Sequence, residues 1–201
     1  MSEPVCSVTG MGTIFFDTAT TMNGFIADAD HSLQWLFDVP QESSGSSAED
    51  DWADSPIGEA AVIVKGSTTY EWVLENENIR DNPARWTELF GNKPVFVFST
   101  RELWVPPEAP VHVVSGKVSD ALTEIRAAAG GGDIWLVGGG DLVGQFLDAG
   151  ALDSIRLSVA PVVLDRGAPL LPRTIESDRL RLVGARPEGQ FARLEYQVVR
   201  P

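Results

Sequence analysis

The sequence predicts an α/β fold with a central, mainly parallel sheet, helices on both of its faces and an antiparallel hairpin at its C-terminal end. From residue 60 onward, short apolar runs of strand length alternate with helical patterns, which is the order that places parallel strands beside crossover helices. Two strand-like runs at 180–184 and 193–199 flank Pro187-Glu188-Gly189, as a hairpin requires. With 201 residues, the chain is expected to form one domain over residues 12–201 after a flexible leader of residues 1–11.

Each element follows from a local pattern. Residues 13–21 are β-branched and aromatic and predict the first strand, and an extended run resumes at Phe25-Ile26-Ala27 after Asn23-Gly24. Apolar runs predict further strands at 60–64, 94–98, 111–114, 134–137 and 155–159. Helical spacing predicts helices from near Thr68, over 118–129 and over 142–149, and capping-box spacing predicts a helix over 47–55.

The charge of the chain excludes two classes of partner. The net charge is −14, and residues 1–64 contain eleven acids with no Lys or Arg. Nucleic acids and anionic lipid surfaces are bound by basic patches, so neither is an expected partner. No apolar stretch approaches the ~20 residues of a membrane span, and no signal peptide is visible, so the expected location is cytoplasmic. Cys6 is the only cysteine and the two histidines are far apart, so no metal site is expected.

The strongest local motif is a strand, three glycines and a helix in direct succession at 134–147. Gly138-Gly139-Gly140 lets a ligand approach the main chain, and the following helix N-terminus offers free N–H groups to a phosphate. This predicts a nucleotide-cofactor site. A tight turn without a ligand is the alternative. Gly138, Gly140 and Gly144 also imitate a Rossmann fingerprint, but that motif normally opens its domain, whereas this one lies late in the chain.

Two other predicted strand ends carry similar residues. Gly66-Ser67-Thr68-Thr69 begins a predicted helix, where Thr68 or Thr69 is expected to cap it and can also meet a phosphate. Ser99-Thr100-Arg101 follows the strand at 94–98. Ligands of open α/β sheets bind at the carboxyl ends of the strands, so the three segments together predict one site.

Four motifs in this order resemble the dihydrofolate reductase-like superfamily, most closely the stand-alone relatives of the riboflavin-biosynthesis reductase domain (the RibD C-terminal domain). They are Asn-Gly-Phe-Ile-Ala (23–27), Gly-Ser-Thr-Thr-Tyr-Glu (66–71), Val-Gly-Gly-Gly (137–140) and Pro-Val-Val-Leu-x-x-Gly-x-Pro-Leu-Leu (161–171). The resemblance covers roughly residues 12–199. It implies about eight strands, a homodimer, NADPH as cofactor, and hydride transfer to a C=N bond of a small pterin-, pyrimidine- or imine-like substrate.

The resemblance also implies the site residues. The cofactor diphosphate would lie between the turns at Thr69 and Gly138–Gly140, the nicotinamide near Ala27, and the adenosine end beside Ser99. The implied cofactor-binding residues are Ala27, Lys65, Gly66, Ser67, Thr68, Thr69, Ser99, Thr100, Arg101, Val137, Gly138, Gly139, Gly140, Asp141 and Leu142.

Four positions depart from the family pattern. Ser67 occupies the position at which family members commonly have an arginine that binds the 2′-phosphate of NADPH. A preference for NADPH would therefore depend on Arg101 or Lys65, and NADH is an alternative cofactor. Asp141 follows the glycines, as acids do in the riboflavin-type relatives, where dihydrofolate reductases often have arginine. Phe25 and Val73 replace a lysine and an aspartate of the riboflavin reductases, which disfavours a phosphoribosyl-aminouracil substrate.

Reduction of C=N also requires a proton at nitrogen, for which a buried acid is suited. We predict Asp50 and Asp51 in the 47–55 helix as donors, against the alternative that such acids only stabilise the helix N-terminus. Asp38 and Asp17 are further candidates. The predicted substrate-binding residues are Asn23, Trp35 and Trp52. The rival functions are a Rossmann-type oxidoreductase and a non-catalytic nucleotide-binding protein of the same fold.

Overall fold

The computed structural model describes residues 11–40 and 55–200, and eight of its strands form one sheet. In chain order these strands are β1 Ile14–Thr21, β3 Val62–Gly66, β4 Val95–Phe98, β5 Val111–Val114, β6 Ile134–Gly138, β7 Ser154–Ala160, β9 Leu180–Glu188 and β10 Phe191–Val198. Their spatial order is β5-β4-β3-β6-β1-β7-β10-β9. The six strands from β5 to β7 are parallel, whereas β10 is antiparallel to both β7 and β9. The mainly parallel sheet and its C-terminal hairpin are therefore confirmed.

The remaining elements surround this sheet. Two short strands, β2 Phe25–Ala27 and β8 Ala168–Pro169, form a separate antiparallel pair. The described helices are α1 Gln34–Phe37, α2 Pro56–Glu59, α3 Ser67–Asn76, α4 Ala84–Phe90, α5 Val118–Ala129 and α6 Gly140–Asp148, with a 3-10 turn at Ser177–Arg179. None of these helices is long and apolar enough to cross a membrane.

Helices cover both faces of the sheet, as predicted. On one face, Val118, Ala121 and Ile125 of α5 and Phe146 of α6 pack against even-numbered side chains of β1 and β3. On the other face, the apolar sides of α3 and α4 pack against odd-numbered side chains of β3 and β4. The helical spacing of the α5 apolar residues explains why that helix was predicted correctly from its periodicity.

The structure corrects two boundaries and adds one helix. Helix α6 begins at Gly140 rather than at Leu142, which brings its first turn into the glycine motif. Strand β9 continues through Pro187 and Glu188, so the hairpin turn lies at Gly189-Gln190, where Gly189 has a φ of 55°. Pro187 is tolerated there because β9 is an edge strand. Helix α4, which the sequence patterns did not predict, supplies the buried Trp86 and Phe90.

Candidate active site

A cleft of about 620 Å³ lies at the carboxyl ends of the parallel strands. It is bounded by the residues that end β3, β4, β5 and β6, by Thr18 of β1 and by the β2–β8 pair. Thirteen predicted cofactor-binding residues line it, namely Ala27, Gly66, Ser67, Thr68, Thr69, Ser99, Thr100, Val137, Gly138, Gly139, Gly140, Asp141 and Leu142. The three strand-end motifs, far apart in sequence, therefore meet in one place, although the binding of a cofactor there stays a prediction.

The two glycine turns face each other across the cleft floor. A Cβ built on Gly66 would lie 3.6 Å from the backbone nitrogen of Gly139, so the turns are in near contact. A Cβ built on Gly139 would meet nothing within 4 Å, so this position borders open space. The Gly138–Gly139 peptide bond is cis, and Gly138 has a φ of 134°. A side chain at Gly138 would be strained, which accounts for glycine at that position.

Each turn leads into a helix whose N-terminus has no side-chain cap. Gly66 is the N-cap of α3 and Gly139 is the N-cap of α6, and neither helix has a side-chain hydrogen bond at its cap. The prediction that Thr68 or Thr69 caps α3 is therefore wrong, because both lie inside its first turn. Two sets of free N–H groups and two positive helix ends converge on one cleft, which is an arrangement suited to an anion such as a diphosphate.

Asp141 brings a negative charge to this region, and Arg173 offsets it. The Asp141 carboxylate accepts hydrogen bonds from Gln145 Nε2 and from Arg173 Nη1, both at 3.0 Å. These bonds lower the pKa of Asp141. Arg173 also donates to Asp148 at 2.9 Å. A Cβ on Gly144 would lie 2.7 Å from Arg173 Cζ, so the missing side chain at Gly144 makes room for this guanidinium. Gly144, which imitates the last glycine of a Rossmann fingerprint in the sequence, therefore has a packing role.

Arg101 stands at the rim of the cleft beside Ser67 and does not line it. Its guanidinium donates to Glu71 at 2.7 Å and to Ser67 Oγ at 3.4 Å, and its backbone nitrogen donates to Ser99 Oγ at 2.9 Å. More than half of the side chain is exposed. Arg101 therefore lies where a group on the adenosine end of a nucleotide could reach it.

Lys65 does not reach the cleft, contrary to its predicted role. Its side chain alternates with Val64 and Gly66 along β3 and enters the core on the α3–α4 face, where Nζ lies 4.3 Å from the centroid of the Phe90 ring. Burial lowers the pKa of Lys65 to about 7. The Lys65 amine therefore lies away from the cleft, whereas the Arg101 guanidinium is hydrogen-bonded to Ser67.

Two of the predicted substrate-binding residues also lie outside the cleft lining. Asn23 bridges to the chain at Leu164, donating to its carbonyl at 2.6 Å and accepting from its N–H at 3.2 Å. Trp35 is buried against Val39 and Ala160. Trp72 of α3 lines the cleft instead, and it stacks on Phe37 with ring centroids 6.3 Å apart.

Asp50, Asp51 and Trp52 lie outside the described residues, as do all but the last residue of the predicted 47–55 helix. Asp38 lies outside the cleft lining and accepts a hydrogen bond from Gln34 Nε2 at 2.8 Å. Asp17, the remaining candidate acid, is buried and paired with Arg193. In the described part of the lining, the only ionisable side chains are His31 and Asp141.

Half of the lining residues were not among the predicted cofactor-binding residues, and most of them come from segments without a motif. They are Thr18, Ile26, His31, Leu33, Trp72, Phe98, Val114, Ser115, Gly116, Gln145, Ala168, Pro169 and Pro172. His31 is exposed, has a φ of 60° and lines the cleft. Ala168 and Pro169 belong to the 161–171 motif, but their contact with the cleft depends on long-range packing that spacing does not reveal.

Comparison with known proteins agrees with this geometry. The family model of the RibD C-terminal domain matches residues 12–190. The uncharacterised protein YwjB of Bacillus subtilis is 28% identical over 178 residues, which are 89% of this chain and 93% of YwjB. RibD of Mycobacterium tuberculosis, a riboflavin biosynthesis protein, is 28% identical over 173 residues, which are 81% of this chain but 45% of RibD. The chain thus spans less than half the length of that relative.

Among solved structures, a Shewanella protein provisionally assigned to riboflavin biosynthesis has a TM-score of 0.71 and 26% identity. The match covers 94% of this chain and all of the Shewanella chain. A pyrimidine reductase-like protein from Corynebacterium diphtheriae has a TM-score of 0.62 at 17% identity, covering 94% and 93% of the two chains, which supports the fold alone.

Proposed function

Because the chain belongs to the RibD C-terminal domain family, we propose that it is an NADPH-dependent reductase acting on a C=N bond of a small pterin-, pyrimidine- or imine-like substrate. One observation carries this proposal: two helices without side-chain caps, α3 and α6, begin at glycine turns that are in near contact at the floor of one cleft. A dinucleotide is the cofactor class whose diphosphate suits that arrangement.

The described residues fit the cofactor along its length. Backbone N–H groups at 67–69 and 139–141 would hold the diphosphate, and Ser99 and Thr100 would flank the adenosine. Ile26, Ala27 and Thr18 would border the nicotinamide, which supplies hydride when bound. A Cβ on Gly167 would lie 2.1 Å from the Ala27 carbonyl oxygen, so the β8 segment fixes the position of this border. The proton donor stays a prediction at Asp50 and Asp51.

The preference for NADPH over NADH would depend on Arg101. The family arginine that commonly meets the 2′-phosphate is replaced by Ser67, but the Arg101 guanidinium lies beside that serine. A 2′-phosphate would compete with Glu71 for it, because the same Nη2 already donates to the Glu71 carboxylate. We therefore expect a moderate preference for NADPH.

We also propose that the protein is a cytoplasmic homodimer that does not bind nucleic acid or membranes. The edge strand β9 exposes Leu182 and Val183, which a second copy could cover. Light scattering coupled to gel filtration is expected to give about twice the 21.7 kDa chain mass. A monomer at micromolar concentration would contradict the dimer.

Thermal unfolding with and without nucleotide tests the cofactor. NADPH at 100-fold over its Kd is expected to add about 2.7 kcal/mol to the free energy of unfolding. Turnover is then measured as loss of NADPH absorbance with dihydropterin, pyrimidine and cyclic imine substrates. Absence of any stabilisation by NADPH or NADH would overturn the proposal.

A non-catalytic nucleotide-binding protein is the second candidate. Phe25 and Val73 favour it, because they replace polar residues of the riboflavin reductases, and Val73 instead packs against the core formed with α4. Stabilisation by NADPH with no turnover on the substrate panel would support this alternative.

A further inference from the structure

The turn between β2 and α1 brings a histidine to the cleft. This turn comprises residues 28–32, directly after Ala27, and His31 is the member of it that lines the cleft. Its φ of 60° is a left-handed conformation that residues other than glycine seldom adopt. Such conformations cluster at ligand-binding and active sites, where the surrounding structure enforces them.

Hydrogen bonds within the turn enforce this conformation. Asp28 Oδ1 accepts from the backbone N–H groups of Asp30 and Ser32, at 2.9 and 2.8 Å. The Asp28 carbonyl accepts from the His31 N–H at 3.2 Å, and the Asp28 N–H donates to the Ser32 carbonyl at 3.1 Å. The backbone of the turn therefore fixes the place of His31 beside the cleft.

The turn lies close to both the glycine motif and helix α3. Ile26, which precedes the turn, reaches the glycine motif, because a Cβ built on Gly138 would lie 4.0 Å from Ile26 Cδ1. Helix α1, which follows the turn, meets α3 through the stacked rings of Phe37 and Trp72, and Trp72 lines the cleft. A substrate held against a nicotinamide at the end of β2 would thus lie among this turn, α1 and α3.

His31 is the side chain of the described lining that is suited to carry a proton at neutral pH. The other ionisable side chain in that part of the lining is Asp141. Hydrogen bonds from Gln145 and Arg173 lower the pKa of Asp141, so its carboxylate is ionised and has no proton to give. Histidine, in contrast, is the residue type that ordinarily gains and loses a proton near neutral pH.

The His31 imidazole is available to a ligand. Within residues 11–40 and 55–200, no hydrogen bond or ion pair engages its ring nitrogens, and the residue is exposed. A substrate atom would not have to displace a protein partner from the ring. Solvent can also return a proton to the ring after each turnover.

We infer that His31 is the proton donor of the proposed reductase, and this inference rests on the proposed function. The carbon of the substrate C=N bond receives a hydride with its electron pair, which the reduced nicotinamide supplies, and the π electron pair moves to the nitrogen. The imidazolium N–H bond of His31 breaks, and the substrate nitrogen takes that proton. The products are a saturated C–N bond, NADP⁺ and a neutral imidazole that solvent protonates again.

Substitution of each histidine tests this role. The measurement uses NADPH at neutral pH with whichever member of the dihydropterin, pyrimidine and cyclic imine panel the wild type reduces fastest. Asparagine tolerates a left-handed φ but is not an acid. His31→Asn is therefore expected to lower kcat at least about 100-fold while the Kd of NADPH stays within about twofold.

His112→Asn is the matched control. His112 is the other histidine of the chain, it is exposed, and its ring stacks on Phe96 outside the described cleft lining. Its replacement should leave kcat within about twofold of the wild-type value.

Chemical rescue separates proton transfer from a structural role. His31→Gly removes the ring, and glycine adopts a positive φ without strain, so the turn is retained. Added imidazole is expected to raise kcat of His31→Gly at least about tenfold. Pyrazole has nearly the same shape but is not protonated at neutral pH, so it should give no rescue. Rescue by both rings alike, or by neither, would overturn the inference.

A further readout does not depend on turnover. Because the chain has two histidines, the nitrogen-15 resonances of their rings can be assigned with His112→Asn. Binding of the same substrate to the NADP⁺ complex, in which no hydride is available, should shift the His31 ring resonances and leave those of His112 in place. Unshifted His31 resonances at saturation would show that the ring does not meet the substrate.

The outcomes distinguish this inference from the proposed function. Turnover that His31→Asn retains would overturn the inference alone. So would a loss of turnover confined to Asp50→Asn or Asp51→Asn, the donors predicted from the sequence. If the wild type reduced no member of the panel, the proposed reductase function would itself be overturned, and this inference with it.

Discussion

At the scale of single residues, Lys65 shows how one side chain can oppose folding. Its ammonium group is fully buried and has aromatic rings as its nearest partners, with Nζ 4.3 Å from the Phe90 centroid and 5.8 Å from that of Trp86. Cation–π contact offsets only part of the lost hydration. The pKa therefore falls from 10.5 to about 7.

Lys65→Met is expected to stabilise the protein. The unfolded chain binds a proton at Lys65 below pH 10.5, whereas the folded chain binds it only below about pH 7. The free energy of unfolding therefore falls as the pH decreases from about 10.5 to 7 and then levels off. Removing the amine should therefore raise the free energy of unfolding by on the order of 4 kcal/mol at pH 7, and should not change it above pH 11.

Urea unfolding of both proteins from pH 6 to pH 11 measures this difference. Lys117→Met is the control, because Lys117 is exposed and its replacement should change stability by less than about 0.5 kcal/mol. If the difference in the free energy of unfolding between wild type and Lys65→Met did not vary with pH, the lowered pKa of Lys65 would be contradicted.

We expect Arg101 to determine the preference between NADPH and NADH. Arg101→Ala should weaken NADPH binding about tenfold and leave NADH binding within twofold, because only NADPH carries the 2′-phosphate. Arg166→Ala serves as a control, since Arg166 is highly exposed and its ion pair within the described part of the chain is with its neighbour Asp165. Equal losses for NADPH and NADH would show that Arg101 does not meet the 2′-phosphate.

At the scale of elements, the two helix-starting turns have different steric limits. A methyl group on Gly140 would lie 2.4 Å from the carbonyl oxygens of Pro169 and Leu170, so α6 and the segment after β8 would have to separate. Gly140→Ala should therefore lower the free energy of unfolding by about 1–3 kcal/mol.

A methyl group on Gly66 would have only ordinary contacts, the nearest at 3.6 Å. Gly66→Ala should leave stability within about 0.5 kcal/mol yet weaken nucleotide binding about tenfold, because the methyl group would enter the space between the two turns. Calorimetric titration and urea unfolding of both variants separate the two effects. A Gly66→Ala variant that binds NADPH as well as the wild type would argue against a diphosphate between the turns.

Across the whole molecule, the mainly parallel sheet, its helices and its C-terminal hairpin could be predicted because apolar runs and helical spacing are local signals, whereas the order of the strands in the sheet was not predicted. Thirteen of the predicted cofactor-binding residues meet in the cleft because the carboxyl ends of parallel strands share one edge. Lys65 was misplaced because sequence does not reveal which face of a strand a residue takes when both faces are buried. The Asp17–Arg193 pair was not predicted, because it joins residues 176 positions apart.

We propose that the cleft between α3 and α6 binds a nicotinamide dinucleotide. Trp72 lines this cleft, so its emission should report on occupancy. Titration of tryptophan fluorescence with NADPH is the most direct measurement, with Trp72→Phe as the reference for the other five tryptophans. We predict saturable quenching with a micromolar Kd and a smaller amplitude in Trp72→Phe. Emission that does not change up to millimolar NADPH, with no competition by NADP⁺, would contradict the account.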